Sequence, residues 1–572
     1  MNHPVEQRSA DQVSADQNLR PILRGRQSPA SLVQAMLLAA VRHHRAGQLT
    51  IAAKTYREIL AIDPEQPDSL HLLGMIAYEA GGHELAVTLI RKAIAIRLAN
   101  NDEQASHYSN LGIVLQAQGN IDEAATCFEK ALSLDPDLAE VHVNLGNILH
   151  DNGKSQEALV CYERALALKP DLAEADRSIG NALWAMDGND GDPKKLDEAM
   201  ACYQRAIALK PGYAQAHYNL GCGLAALGQV DDALAQYQIA LQLQPDYPLA
   251  GFRKSLAQLL RGNFAAGWHN YEWRWQCPFK DHGTPMRSYS HPLWTGKKLA
   301  SGRLLIWAEQ GVGDEIMFAG ILPDLLRTGI RCVLDCDPRL QPLFSRSFPD
   351  VAVVAKHSLP QNDVAAHIPI GSLPSIYRTT NASFGAAKSP YLFADSEARD
   401  QFRARYRDHG SQQRRIIGLA WHTNNGKTGR YRSIELAQFA PLFAQPDIRW
   451  ISLQYGDRDA LEREAAETNA PLLIDRSVDQ LTNLDIFASQ IAALDLVITI
   501  DNSTAHLAGA LGLPTWLLLP FAADWRWLEK REDSPWYPTL RLFRQPSRGD
   551  WHSVIEEVQA EISTQYSVLS TQ

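Results

Sequence analysis

The sequence predicts an α-helical solenoid followed by an α/β half made of two lobes. Two observations carry this: a period of ~34 residues between about residues 33 and 247, and, from Arg303 onward, short apolar runs alternating with helical stretches. The length, 572 residues, exceeds what one core accommodates and requires several domains.

The repeat is read by laying the chain against itself. Residues 105–138 read "ASHYSNLGIVLQAQGNIDEAATCFEKALSLDPDL" and residues 139–172 read "AEVHVNLGNILHDNGKSQEALVCYERALALKPDL". Gly112, Gly146, Gly180 and Gly221 hold one repeat position, Ala124, Ala158, Ala199 and Ala233 another, and Pro136, Pro170, Pro211 and Pro245 close each unit. Small residues at fixed spacing where two helices must approach are the mark of the tetratricopeptide repeat. Weaker units precede, around 40–64 and 74–93, and a decayed one follows at "RGNFAAGWHNYEWRW". An insertion, "DGNDGDPKK", falls between the two helices of the unit at 173–213 and is expected to loop out. Each helical pair exposes an apolar face that only a neighbour covers, so the units stack into a solenoid with a concave groove. Such grooves grip a peptide or a protein; a spacer or self-association module is the alternative.

Composition narrows the setting. With 45% hydrophobic and 21% charged residues and a net charge of -10, the chain reads as soluble and globular and is a poor match for a dedicated nucleic-acid binder. Seven cysteines at irregular spacing, with no CxxC pair, imply neither a disulfide framework nor a structural metal, and fit a reducing compartment. Cys332 and Cys336 read as two small core residues on a strand. The polar first 27 residues lack the apolar segment of a secretory signal and are expected to be disordered. No apolar run approaches the ~20 residues of a membrane helix, so the expected location is cytoplasmic. The expected domains are a tail at 1–30, the array at 31–281, a linker at 282–301, a first lobe at 302–408 and a second at 409–566.

In the α/β half, "RLLIWAEQ" is a strand running into "GVGDE" and the helix "IMFAGILPDLLRTG", with "RCVLDCD" and "VAVVA" as further strands. A second set runs through "RRIIGLAWH", "RWISLQYG", "LVITI" and "PTWLLLP" with helices between them. Strands alternating with helices give parallel sheets, whose ligands bind beyond the carboxyl ends of the strands. Three loops at such ends stand out. In "EQGVGDE", Gly311 and Gly313 allow a tight turn and Asp314 lies near the start of the next helix; Asp314 is a candidate catalytic group or an N-cap. In "DNSTAH", amides around residues 502–505 face outward at a helix N-terminus, a setting for a diphosphate, with Asp501, Asn502, Ser503, Thr504 and His506 as candidate contacts. A capped helix with a core histidine is the alternative, and it leaves Asn502 and His506 without a task. In "WHTNNGKTGRYRS", Lys427, Arg430 and Arg432 gather with Gly426 and Gly429 as an anionic ligand requires, or form a solvated basic loop. Farther on, Trp525, Trp527, Trp536 and Tyr537 could stack on a base or a sugar, or cover the bottom of the lobe.

With these residues on the page, "EQGVGDEIMFAGILPDLL" and "LDLVITIDNSTAHLAGALGLPTWLLLP" resemble the heptosyltransferase-type (family 9) GT-B glycosyltransferases. The order of array, "GWHNYEWRW" and this half is similar to bacterial TPR-glycosyltransferases, flagellin-modifying enzymes among them. The resemblance implies a GT-B fold of two Rossmann-like lobes and inverting transfer from a nucleotide sugar, a co-substrate rather than a bound cofactor. It carries over Asp314 as candidate general base, Asp501, Asn502, Ser503 and His506 as donor-phosphate contacts, and Lys427 as a diphosphate-neutralising cation. Where heptosyltransferases commonly read Asp-Thr-Gly this chain has Asp501-Asn502-Ser503, so the donor need not be ADP-heptose. Sugar transfer needs a base for the acceptor hydroxyl and fixed positive charge for the departing diphosphate. No DxD-like carboxylate pair occupies a comparable loop, so metal-independent transfer is expected. The expected acceptor is a protein held by the array, flagellin being one candidate; a saccharide or lipid-linked acceptor and a non-catalytic scaffold are the alternatives.

Overall fold

The computed structural model describes residues 29–190, 193–278, 286–356, 363–385, 390–407, 415–424, 429–445 and 447–567. The first 28 residues of the expected tail and residues 282–285 of the expected linker lie outside them. The chain forms two compact units, Met1–Pro211 and Gly212–Gln572.

The first unit is five helical hairpins: Pro29–Arg45 with Leu49–Ile62, Pro67–Glu79 with His83–Ala99, Ala105–Ala117 with Ile121–Leu134, Ala139–Asp151 with Ser155–Leu168, and Ala173–Asp190 with Pro193–Leu209. The repeat glycines are where an aromatic ring of the second helix presses on the backbone of the first. A Cβ at Gly112 would stand 2.6 Å from Phe128, and one at Gly146 2.5 Å from Tyr162. The Tyr162 ring cannot retreat, because it is buried and its hydroxyl donates to Asn147 Oδ1 at 2.9 Å. Gly146→Ala therefore sets a helix-propensity gain of about 1 kcal/mol against overpacking of about 1–3 kcal/mol. The expected net effect is a lower melting temperature, checked by thermal unfolding; an unchanged or raised value would show that the ring gives way. The insertion does not loop out: the helices on either side run to Asp190 and from Pro193, so most of the added residues lengthen the hairpin.

The second unit begins with two further hairpins, Ala214–Ala226 with Val230–Leu243 and Pro248–Leu260 with Phe264–Tyr271. Two parallel sheets follow. The first has β1 (Arg303–Trp307), β2 (Cys332–Cys336), β3 (Ala352–Ala355) and β4 (Val364–Pro369) in the order β3-β2-β1-β4. The second has β5 (Arg415–Ala420), β6 (Ile448–Ser452), β7 (Leu472–Leu473), β8 (Leu496–Ile500), β9 (Thr515–Leu519) and β10 (Leu540–Arg544) in the order β10-β9-β8-β5-β6-β7. Nearly continuous apolar strands such as "LVITI" are buried on both faces, as parallel sheets require. Cys332 and Cys336 are buried core residues of β2.

One apolar core runs from the last hairpin through both sheets, including Trp268, Leu304, Phe318, Val497, Trp525 and Trp536. Trp268 is its junction. Its Nε1 donates to the carbonyl of Arg378 at 2.9 Å, and its ring meets those of Phe318, Trp525 and Trp536 edge-on. The decayed repeat is thus a structural part of the α/β half, because its aromatic face is shared with both lobes. Ahead of the expected lobe boundary at 408, one helix reaches across. The helix Ser396–Tyr406 docks on the second lobe: Arg403 pairs with Asp495 at 2.7 Å, and the Tyr406 hydroxyl donates to Asp475 and accepts from Gln490. Among the described residues, no helix is long and apolar enough to cross a membrane.

Candidate functional site

The first loop leaves β1 at Trp307 and reaches the helix Val312–Ala319 within four residues. Gln310 takes a left-handed backbone conformation, φ +61°, which a side chain other than glycine rarely adopts. Tyr271 of the last hairpin holds it there, accepting from Gln310 Nε2 at 2.8 Å. Glu309 is held from the same side. Arg274 donates to it in bidentate fashion at 2.8 and 2.9 Å, with both side chains essentially inaccessible, 0% and 1% exposed. Gly371 N and Ser372 complete that cluster. Asp314 is the third residue of the helix, and its Oδ2 accepts from Gly311 N at 3.4 Å, so the capping role is present. It is not the only role: Oδ1 accepts from Arg526, with Nε at 3.1 Å and a second bond from Nη2.

The second loop leaves β8 at Ile500. Asn502 is the N-cap of the helix Ser503–Ala510, its Oδ1 accepting from Thr504 N at 2.9 Å, from Ala505 N at 3.4 Å and from the Thr499 hydroxyl at 3.1 Å. This corrects two expectations. Asn502 has a structural task, and the amides of Thr504 and Ala505 are already occupied rather than offered to a phosphate. Thr504 is buried, and Ser503 stays half-buried against Gly313. His506 likewise has a core role. Its Nδ1 shares a hydrogen bond with the Tyr537 hydroxyl at 2.9 Å and its ring stacks on Trp527. Burial, reinforced by Arg526, pushes its pKa down to about 3, so the ring is neutral at physiological pH. Gly313 explains itself here: a Cβ would stand 3.0 Å from His506 Cδ2, so the N-termini of the two helices meet only because the residue is glycine.

The third loop divides. Lys427 and Gly426 lie outside the described residues. Gly429 is buried, and a Cβ there would stand 2.5 Å from the carbonyl of Thr423. Arg432 points to the second loop, meeting Asp501 at 3.0 Å and Asp524 at 3.6 Å. Arg430 points elsewhere, its guanidinium over the Tyr431 ring. Asp501 is buried, which raises its pKa, and Arg432 opposes that rise. Asp524, in the loop after β9, accepts from Arg526 at 2.6 Å; burial works to raise its pKa, but Arg526 and Arg432 outweigh it and hold the carboxyl below its usual range.

The result is one chain of charge across both lobes: Asp314, Arg526, Asp524, Arg432, Asp501. All come from beyond the carboxyl ends of strands β1, β5, β8 and β9. Asn502 Nδ2 is buried beside it and has no partner among the described residues. Gly311 and Gly313 belong to this junction, whereas Trp525 and Trp527 do not open onto a cleft. Both rings are buried, Trp525 against Trp268 and Tyr271 and Trp527 against His506, so they serve the core rather than a stacking pocket.

A cavity of about 470 Å³ lies beyond the ends of β5 and β6, lined by Trp421, His422, Arg430, Gln454, Tyr455 and Glu464 among others. It has the size of a small-molecule pocket and carries both an aromatic wall and a cation.

Several residues of the site were not singled out from the sequence. Tyr271, Arg274 and Glu309 lie within "GWHNYEWRW" and "EQGVGDE", but nothing in those stretches marks them as partners of one another. Asp524 follows a strand in the loop position that binds ligands, a signal masked by the tryptophans around it, whereas Arg526 stands out in the sequence only as a companion of those tryptophans.

Comparison with known families fits the helical half. Tetratricopeptide-repeat models match residues 65–137, 103–171 and 214–247, and a TPR-repeat model matches 194–222. The chain carries a tetratricopeptide-repeat array. It is 31% identical over 331 residues to Protein FlbA of Caulobacter vibrioides, covering 54% of each chain, so it spans about half the length of that curated relative. Over 89 residues it is 36% identical to human Tetratricopeptide repeat protein 7B, covering 16% of this chain and 10% of the relative. Among solved structures, Pseudomonas aeruginosa pilF shares 19% identity at a TM-score of 0.34 over 39% of this chain and 97% of its own. In the tetratricopeptide-repeat protein described here, an α/β half with two parallel sheets follows the array.

Proposed function

We propose that this protein is a cytoplasmic glycosyltransferase of the heptosyltransferase-like GT-B type. It moves a sugar from a nucleotide-sugar donor to a protein recruited by the array, flagellin being the candidate that the resemblance offers. The observation that carries the reading is the junction of Asp314 with Arg526, Arg432, Asp501 and Asn502, drawn from strand ends of two facing lobes. In this reading the acceptor hydroxyl oxygen bonds to the anomeric carbon, its proton passes to Asp314, and the bond from that carbon to the diphosphate breaks. Arg526 and Arg432 neutralise the leaving group, and the dipoles of the two helices, whose first amides are already bonded, add only their field. The 470 Å³ cavity, with Arg430 at its wall, takes the nucleoside. The match to FlbA covers 54% of the 572 residues, more than the chain up to Trp275, so the likeness reaches beyond the array.

The scaffold reading draws on one observation: Asp314 is neutralised by Arg526 in this arrangement. A panel of UDP-, ADP-, GDP- and CMP-linked sugars separates the two. One donor is expected to raise the melting temperature of the full-length protein, by about 2.7 kcal/mol of added stability at 100 times its Kd. Arg430→Ala, whose side chain holds no buried partner, is expected to weaken that donor about tenfold. Failure of every donor to shift the wild-type protein would favour the scaffold.

A further inference from the structure

The candidate base is already engaged, and by a residue on the other lobe. Arg526 lies 212 residues from Asp314 in sequence and donates to it through Nε and Nη2 while Nη1 holds Asp524. Both side chains of that pair remain 16% exposed, so the ion pair is not sealed from solvent. Two guanidinium groups, Arg526 and Arg432, serve three carboxylates, Asp314, Asp501 and Asp524. Among the described residues at this junction cations are thus outnumbered, and a further anion must compete for these two guanidinium groups. A diphosphate would compete well at this place. Gly313 lets the N-termini of the helices Val312–Ala319 and Ser503–Ala510 meet, and each brings roughly half a positive charge. The buried Asn502 Nδ2, which has no partner among the described residues, adds a donor.

We propose that Arg526 is a positioning residue that exchanges anions: it leaves Asp314 for the donor's diphosphate when the donor binds, and so frees the carboxylate as a base only once the donor is in place. This rests on the nucleotide-sugar reading above. Its consequence is an ordered reaction, donor before acceptor. Asp524, which holds both the Arg526 backbone amide and Nη1, is the pivot that keeps the guanidinium in reach of either anion. The face of Trp525, 4.5 Å from the guanidinium carbon, supplies the floor on which it turns.

The test is a double-mutant cycle in the full-length protein. Asp314→Asn, Arg526→Gln and the double variant are compared by thermal unfolding, without ligand and with saturating UDP, ADP, GDP or CDP, whichever binds. The expected result is a coupling between the two positions that is present without ligand and lost with the nucleoside diphosphate bound. Affinity for that diphosphate is expected to fall about 10–100-fold in Arg526→Gln and to hold or rise in Asp314→Asn. A purely structural ion pair would give the same coupling in both conditions, and that outcome overturns the proposal while leaving the nucleotide site intact. Binding of none of the four diphosphates to the wild-type protein overturns the nucleotide-sugar reading itself, and the exchange with it. Should Arg526→Gln fail to fold, Arg526→Lys identifies the side-chain 15Nε resonance of Arg526, which must shift in the wild-type protein on adding the diphosphate; an unmoved resonance sinks the idea equally.

Discussion

Asp314→Asn is expected to lower turnover about 10²–10⁴-fold, with donor and acceptor both saturating, while the donor-induced rise in melting temperature persists. The substitution removes the charge that would take the acceptor proton but leaves an oxygen for the Gly311 amide and leaves Arg526 paired with Asp524. The loss therefore falls on the chemical step rather than on the fold. Release of nucleoside diphosphate, followed with and without acceptor, reads it. Full turnover in the variant would remove Asp314 from the mechanism, whatever the donor site proves to be.

Arg274→Ala is expected to cost the second unit about 3–5 kcal/mol, the largest stability effect of any single truncation considered. The residue is fully buried, and removing it strands Glu309 as an uncompensated charge in the same cluster. The rings of Tyr271 and Trp275 would lose the guanidinium between them as well. Arg274→Lys keeps a charge but cannot match both carboxylate oxygens in one plane, so it should recover only part of the loss. Urea unfolding measures both variants. A destabilisation under 1 kcal/mol in Arg274→Ala would mean that the neighbourhood collapses or rehydrates around Glu309.

Much of this architecture could be read from residue order because its cause is local. Gly112 and Phe128, or Gly146 and Tyr162, lie one hairpin apart, so the spacing alone exposes the repeat. The alternation of strands and helices is likewise a property of short windows, and Asp314 and Asp501 were found because each ends a strand-to-loop transition. What escaped was set by partners far apart in sequence. Nothing in "DNSTAH" says that His506 will be sandwiched against Trp527 and bonded to Tyr537, which turns a candidate donor contact into a core residue. Nothing in "DWRWLEK" separates Trp525 and Trp527, which face inward, from Arg526, which faces another lobe. The insertion near 190 differs from its local reading for another reason: Asp and Gly favour turns, but two long helices already in register absorb added residues by growing.

The placement of Trp268 and Tyr271 bears on how such proteins can diversify. Tyr271, which holds the Asp314 loop, and Trp268, which bridges the lobes, both belong to the unit that starts at Gly212. The last hairpin cannot be trimmed or exchanged without unpicking the seam that it closes between the two sheets.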